Sequence, residues 1–248
     1  MSYEVQLTCN QCGKLKVYFN QSKGIGWCHY CKKVVRRKDI EIEDGSDFIL
    51  DSQGYSGNSS STSPAWENVV AGKYLKSRWV DELTSATVGI RYDAERESIR
   101  VPIHSPASEF PMSHQVRGIY PGGRWYTEAK ERKEYCFGLP WVPISRKEVI
   151  LVEGIFDVLT PGWLGYAIAT LGTTLSDTLC LFLVERFNRI YIWFDPDPAG
   201  RSGGEKVLRQ LHMAGASSTL LEYPIEPGDM GPSHPLAVEW RNKLDDLC

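Results

Sequence analysis

From residue 148 onward, four short apolar runs appear in turn: EVILVEG, YAIATLG, RFNRIYIWFD and SSTLLEYP. A helical turn, FDVL, follows the first, and a longer helical stretch, AGRSGGEKVLRQLHMAG, follows the third. Apolar runs of this length suit strands buried on both faces, and helices between them are the crossovers that parallel strands need. The pattern predicts βαβ units over residues 148–248. In such sheets ligands bind beyond the carboxyl ends of the strands. The first run leads into Glu153, and the third into Asp195 and Asp197. If those runs are neighbouring strands, all three carboxylates reach one rim. Residues i and i+2 of an extended segment face the same way, and Pro196 and Pro198 keep this one extended. Hard oxygen donors suit Mg²⁺ or Mn²⁺, which keeps open positions for phosphate oxygens. Asp157 lies one helical turn beyond Glu153, and Glu226 and Asp229 follow the fourth run in EPGDM. Each of these three is a further candidate ligand, with a cap or a solvated side chain as the alternative.

Charge supports a metal between protein and phosphate. The formal net charge is −3. Residues 1–43 carry eight Lys/Arg against four Asp/Glu, whereas residues 151–248 carry seven against thirteen. A basic head suits a polyanion. An acidic tail repels one unless a divalent cation lies between them.

The head holds four of the seven cysteines and few large aliphatics. A piece of 43 residues cannot bury enough apolar surface to fold unaided, so it needs a staple. Cys9-x2-Cys12 and Cys28-x2-Cys31, fifteen residues apart, offer two knuckles for one tetrahedral zinc. An iron–sulfur centre is the alternative. Four thiolates leave no open position, so the zinc is expected to be structural. Lys14, Trp27, His29 and Lys32 surround the knuckles, and cations mixed with aromatics suit nucleic acid; a solvated basic face is the plain alternative. Cys136, Cys180 and Cys248 are isolated.

Residues 44–64, DGSDFILDSQGYSGNSSSTSP, have the composition of a flexible linker. Residues 65–147 read as mixed α+β: a helix in WENVVAGKYLKSRWV, a strand in ESIRVPIHS, and two strands around Pro-Gly-Gly in HQVRGIYPGGRWYTEA. The expected fold is α+β and α/β. An N-terminal zinc ribbon (1–43) and linker (44–64) precede a mixed subdomain (65–147) and a parallel-sheet subdomain (148–248). No apolar run reaches the roughly 18 residues of a membrane span, and the N-terminus lacks a secretory pattern. A cytoplasmic protein with no membrane partner is expected.

VEGIFDVL, ATLGTTLS and IWFDPDPAGR together resemble the Toprim domain of DnaG-type primases, type IA and II topoisomerases, some nucleases and the RecR recombination mediators. A four-cysteine ribbon, a mixed region and then these motifs resemble a DNA primase, most of all the primase half of phage primase–helicases. GIRYDAERESIRVPI and VRGIY resemble the stretch that precedes Toprim in that family. The resemblance implies RNA primer synthesis on single-stranded DNA in a bacterial or phage-infected cell. It makes Glu153, Asp195 and Asp197 the catalytic carboxylates and assigns Asp157 to the EGxxD pattern. It also implies two catalytic Mg²⁺ or Mn²⁺, one structural Zn²⁺, and nucleoside triphosphates as substrates. EPGD departs from the family's usual DPxD at Glu226. Arg117, Arg124, Lys130 and Arg201 are the basic candidates for triphosphate and template. The 248 residues contain no G-x4-G-K-[ST] loop, so a separate helicase and DNA polymerase are the expected partners. The rival classes are a non-catalytic RecR-like DNA-binding mediator and a Toprim nuclease.

Overall fold

The computed structural model describes residues 62–106, 108, 110–120, 122–129 and 134–246, and the backbone of four strands within the first 36 residues. The chain divides into two compact units, Met1–Thr62 with Ala107–Glu109, and Ser63–Pro106 with Phe110–Cys248.

In the first unit β1 (Glu4–Thr8), β2 (Leu15–Asn20), β3 (Ile25–Cys28) and β4 (Lys33–Arg36) form an antiparallel sheet in that order. Thr8 pairs with Leu15, Val17 with Cys28, and Cys28 with Lys33. The β1–β2 and β3–β4 connections therefore leave from the same end of the sheet. In sequence, one connection carries Cys9 and Cys12, and the other carries Cys31 directly after Cys28 of β3. Cys9, Cys12, Cys31, Lys14, His29 and Lys32 lie outside the described residues, as do residues 44–61 of the expected linker. Cys28 and Trp27 are described as backbone positions of β3.

The second unit holds two sheets. One has the order β5 (Thr62–Pro64), β6 (Arg91–Asp93), β7 (Ser98–Ile103), β8 (Ser113–Gly118), β9 (Trp125–Thr127). The pairs from β6 to β9 are antiparallel, and β8 and β9 flank the expected Pro-Gly-Gly turn. Two helices precede this meander. In α1 (Val69–Ser77), Asn68 caps the N-terminus through Val70 and Ala71 N–H. In α2 (Glu82–Val88), Asp81 caps through Thr84 N–H, and Gly89 at φ 77° ends the helix. The helical spacing of Val69, Tyr74, Leu75 and Trp79 in the sequence predicts one apolar face, but it is only partly buried: Leu75 is in the core, whereas Val69 and Trp79 are exposed.

The second sheet is parallel. It contains β10 (Glu148–Val152), β11 (Ala167–Ala169), β12 (Arg189–Ile192) and β13 (Ser217–Leu220), in the order β11-β10-β12-β13. Its helices are α3 (Ile155–Leu159), α4 (Asp177–Arg186), α5 (Pro198–Met213) and α6 (Pro235–Asp245). Side chains alternate across the sheet. Val149, Leu151, Ile190 and Ile192 pack with Leu179, Leu183, Val207 and Leu211 of α4 and α5. Ile150, Val152, Tyr191 and Trp193 face a second core that includes α3, α6 and the meander residues Ile99, Val101 and Ile103. Burial on both faces is why the sequence shows continuous apolar runs here.

Aromatic rings dominate the second core. Trp193 stacks on Tyr223 (4.3 Å) and meets Trp163 (5.4 Å), while Tyr191 meets Trp240 edge-on (4.8 Å). Arg146 ties α6 down through the Leu244 carbonyl (2.7 Å) and the Asp245 carboxylate (2.9 Å).

His104 is buried edge-on against Trp141 (5.4 Å), and its Nδ1 has no partner. Burial, with a smaller push from His114, lowers its pKa to about 4. An unfolded imidazole takes its proton near pH ~6.5, but the folded one resists until about 4. His104 thus contributes stability above the unfolded value that is lost as pH falls through this window, up to about 3 kcal/mol. His104→Phe is expected to flatten that part of the acid loss, read as denaturant midpoints at neutral and mildly acidic pH. An unchanged pH dependence would refute the assignment.

Candidate active site

Leu151 of β10 pairs with Ile192 of β12, so the two strands leave the sheet side by side. Glu153 follows β10 by one residue, and its Oε1 accepts the Asp195 backbone N–H at 2.9 Å. One carboxylate thus grips the turn that carries another. Asp195 Oδ1 is buried with no hydrogen-bond partner in the chain. Burial first, then the charges of Glu153, Asp197 and Asp229, push its pKa up to about 6. Glu153 is also raised, by burial and by Asp197 and Glu226, against the lowering effect of its bond from Asp195.

Gly200 is the reason that Glu153 can sit there. A Cβ on Gly200 would lie 2.6 Å from Glu153 Oε1 and would collide with the Asp195 carbonyl. The other carboxylates have more particular places. Asp197 caps α5, its Oδ1 accepting Gly200 N–H at 2.7 Å. Asp157 is buried, and its Oδ2 accepts Gly154 N–H at 2.6 Å. Its Oδ1 lies against Gly228, where a Cβ would be 2.5 Å away. Asp157 therefore bridges the β10–α3 turn and the loop bearing Glu226 and Asp229. Burial, and secondarily the charge of Asp195, raises it well above the ordinary carboxylate value. Glu226 is raised by burial and by Asp195 and Asp229, with Arg78 opposing.

Six carboxylates thus act on one another around this rim. Among the described residues, no group of three or more Asp, Glu, His or Cys side chains is placed so as to hold a metal ion by itself. Like charges without a cation repel, and Asp157 and Asp197 each commit an oxygen to a backbone N–H. Hard donors and the orphaned Asp195 oxygen nevertheless suit a divalent cation.

Among the basic candidates, Arg117 lies on β8 over Trp125 (5.9 Å), with its Nε buried and unpartnered. Trp125 meets Phe156 of α3 (5.6 Å), which sets Arg117 on the sheet face toward α3. Arg201 donates to the Pro196 carbonyl, and Arg124 is exposed. Lys130 lies outside the described residues. Sequence reasoning missed Arg78. It stands over Phe156 (5.0 Å), with Nη2 3.4 Å from where a Gly228 Cβ would be. A cation after an amphipathic helix carries no mark of what it will face.

A Toprim-like family model matches residues 150–231, which contain all six of these carboxylates. Over these residues the chain is similar to Toprim-like domains. The DNA primase of Aquifex aeolicus (strain VF5) is 30% identical over 167 residues, 60% of this chain and 31% of that protein. The DNA primase of Neisseria meningitidis (strain DSM 15465 / Z2491) is 30% identical over 137 residues, 48% of this chain and 22% of that protein. The chain thus spans a third or less of these curated relatives. The crystal structure of the zinc-binding and RNA polymerase domains of the Aquifex aeolicus primase superposes with a TM-score of 0.59 at 18% identity, covering 99% of this chain and 78% of that one. The primase fragment of the bacteriophage T7 primase–helicase gives 0.55 at 17%, covering 96% and 98%. The DnaG primase catalytic domain bound to single-stranded DNA gives 0.60 at 16%, covering 73% and 74%. At these identities the likeness is one of fold alone. Among the described residues, no helix is long and apolar enough to cross a membrane.

Proposed function

We propose that this chain is a DNA primase that joins ribonucleotides on a single-stranded DNA template. The observation that carries the reading is the Glu153–Asp195 junction at the ends of adjoining parallel strands, with Asp195 Oδ1 free to bind. The Toprim match and the primase relatives support it. Glu153, Asp195 and Asp197, with Glu226 and Asp229 beside them, would hold Mg²⁺ or Mn²⁺. The bound cation supplies charge neutralisation at the phosphates and acidifies the attacking hydroxyl.

The chain's own side chains do the positioning. Glu153 locks the Asp195 turn, so that the free oxygen faces the substrate from a fixed place. Asp157 acts as a strut between the Gly154 turn and the Glu226 loop, not as a direct ligand. Arg117, with Arg78 near Glu226, offers donors to the triphosphate. Arg124, Lys130 and Arg201 extend the cationic path toward the template. In the step itself, the primer 3′-oxygen forms a bond to the α-phosphorus, pyrophosphate departs, and the hydroxyl proton passes to solvent.

The first unit fits a zinc-held template reader. The two cysteine-bearing connections leave from one end of its sheet. That juxtaposition supports a Cys9, Cys12, Cys28, Cys31 site, with Lys14, Trp27, His29 and Lys32 meeting nucleic acid. A helicase and a DNA polymerase would complete priming in the cytoplasm of a bacterial or phage-infected cell.

The test is synthesis on a library of single-stranded templates with labelled ribonucleotides and Mg²⁺ or Mn²⁺, followed by sequencing of the products. Short RNAs starting opposite a recurring short signal are expected. Absence of incorporation on every template refutes the reading, and metal-dependent loss of DNA without incorporation assigns a nuclease instead. One zinc per chain is expected, and Cys28→Ser is expected to lose it together with signal selectivity while the second unit melts unchanged.

A further inference from the structure

We infer that Trp79 is the base-stacking wall for the nucleotide handled at the carboxylate rim. The inference rests on the nucleotide reading above and adds the subsite that reading lacks.

Trp79 follows α1 in a left-handed conformation, φ 52°, yet it is not glycine. Its side chain is 54% exposed. Both facts carry a cost. A bulky side chain strains that backbone region, and a wet indole forgoes the gain of burial. Glycine would relieve both costs.

The position of the ring gives the strain a purpose. A Cβ on Gly231 would lie 3.1 Å from Trp79 Cε2, 3.2 Å from Nε1 and 3.4 Å from Cδ2. Nearly equal distances to three contiguous ring atoms mean that the indole lies flat against Gly231. Gly231 closes the loop that carries Glu226 and Asp229. The adjacent Arg78 reaches the same loop at Gly228, and its buried Nε has no partner. One corner after α1 thus presents a cation and a half-exposed, backed aromatic ring beside the acidic loop. Phosphates suit Arg78 and the rim, and a flat heterocycle suits the indole. Stacking accepts every base, because each has a π face.

The experiment uses the full chain with Mg²⁺ and compares the affinity of ATP with that of inorganic tripolyphosphate, which has no base. The wild-type chain is expected to bind ATP about tenfold or more tightly than tripolyphosphate. Trp79→Gly, which relaxes the backbone, is expected to fold, to erase that difference and to leave tripolyphosphate binding intact. Trp79→Phe is expected to keep most of it. A Gly variant that retains the preference overturns the inference alone, as does one that loses both ligands equally. A wild-type chain that binds neither ligand overturns the nucleotide reading, and the stacking wall with it.

Discussion

Asp195→Asn is expected to lower nucleotide incorporation by about 1000-fold or more while making the metal-free chain more stable at neutral pH. The two effects have one cause. Asp195 holds an unpartnered buried oxygen among like charges, and its pKa stands at about 6, raised from 3.8. An ordinary carboxylate is already ionised in the unfolded chain at a pH where the folded one still resists. The stability that Asp195 contributes is therefore present below the unfolded value and lost as pH rises toward about 6. Solvent reaches the group, so the gain from Asn at neutral pH is discounted to about 1 kcal/mol. The activity loss is larger, because the same oxygen is the one free to meet a cation that stabilises the transferring phosphate, an effect of several kcal/mol. Denaturant midpoints near pH 5 and pH 7, together with incorporation rates, check both halves. Glu153→Gln is expected to lose activity similarly. Full synthesis by both variants would remove the rim from the mechanism.

Gly200→Ala is expected to cost about 100-fold in incorporation with little loss of fold. The new methyl group would fall 2.6 Å from Glu153 Oε1 and against the Asp195 carbonyl. Either the start of α5 moves or Glu153 swings off the Asp195 N–H. A displacement of about 1 Å at such a place costs about two orders of magnitude in rate. Overpacking of roughly 1–3 kcal/mol is partly offset by the better helix propensity of Ala, about 1 kcal/mol. Ser202→Ala, on the exposed side of the same turn, is the control and is expected to leave the rate unchanged. Equal rates for the two variants would mean that the Glu153–Asp195 contact does no positioning.

Much of this site was legible beforehand, for reasons specific to its residues. Runs ending in Glu153 and Asp195 are continuous because their strands are covered on both faces, and a buried parallel sheet leaves that trace in any sequence. The Pro-Gly-Gly turn between β8 and β9 was equally plain. Asp157 was less so. An acid one turn after Glu153 looks the same whether it binds a cation or caps a backbone N–H, and here it bonds to Gly154. Asp197 likewise caps α5, a role that spacing alone did not separate from sharing a metal with Asp195.

Arg78 and Gly228 left no trace in the sequence, and Trp79 read only as one of the apolar positions of the α1 segment, whereas it lies exposed beyond the helix; the meaning of all three lies in contacts across long stretches of chain. Periodicity reports which face of a segment is apolar, so it revealed the sheet, its rim and the acids upon it. It cannot report which distant loop that face will meet. Tertiary packing alone decided that α1 ends against the Glu226 loop, that Gly200 makes room for a carboxylate, and that one oxygen of Asp195 is left without a partner. Such contacts depend on how separate elements fill a shared core, and no local pattern encodes that.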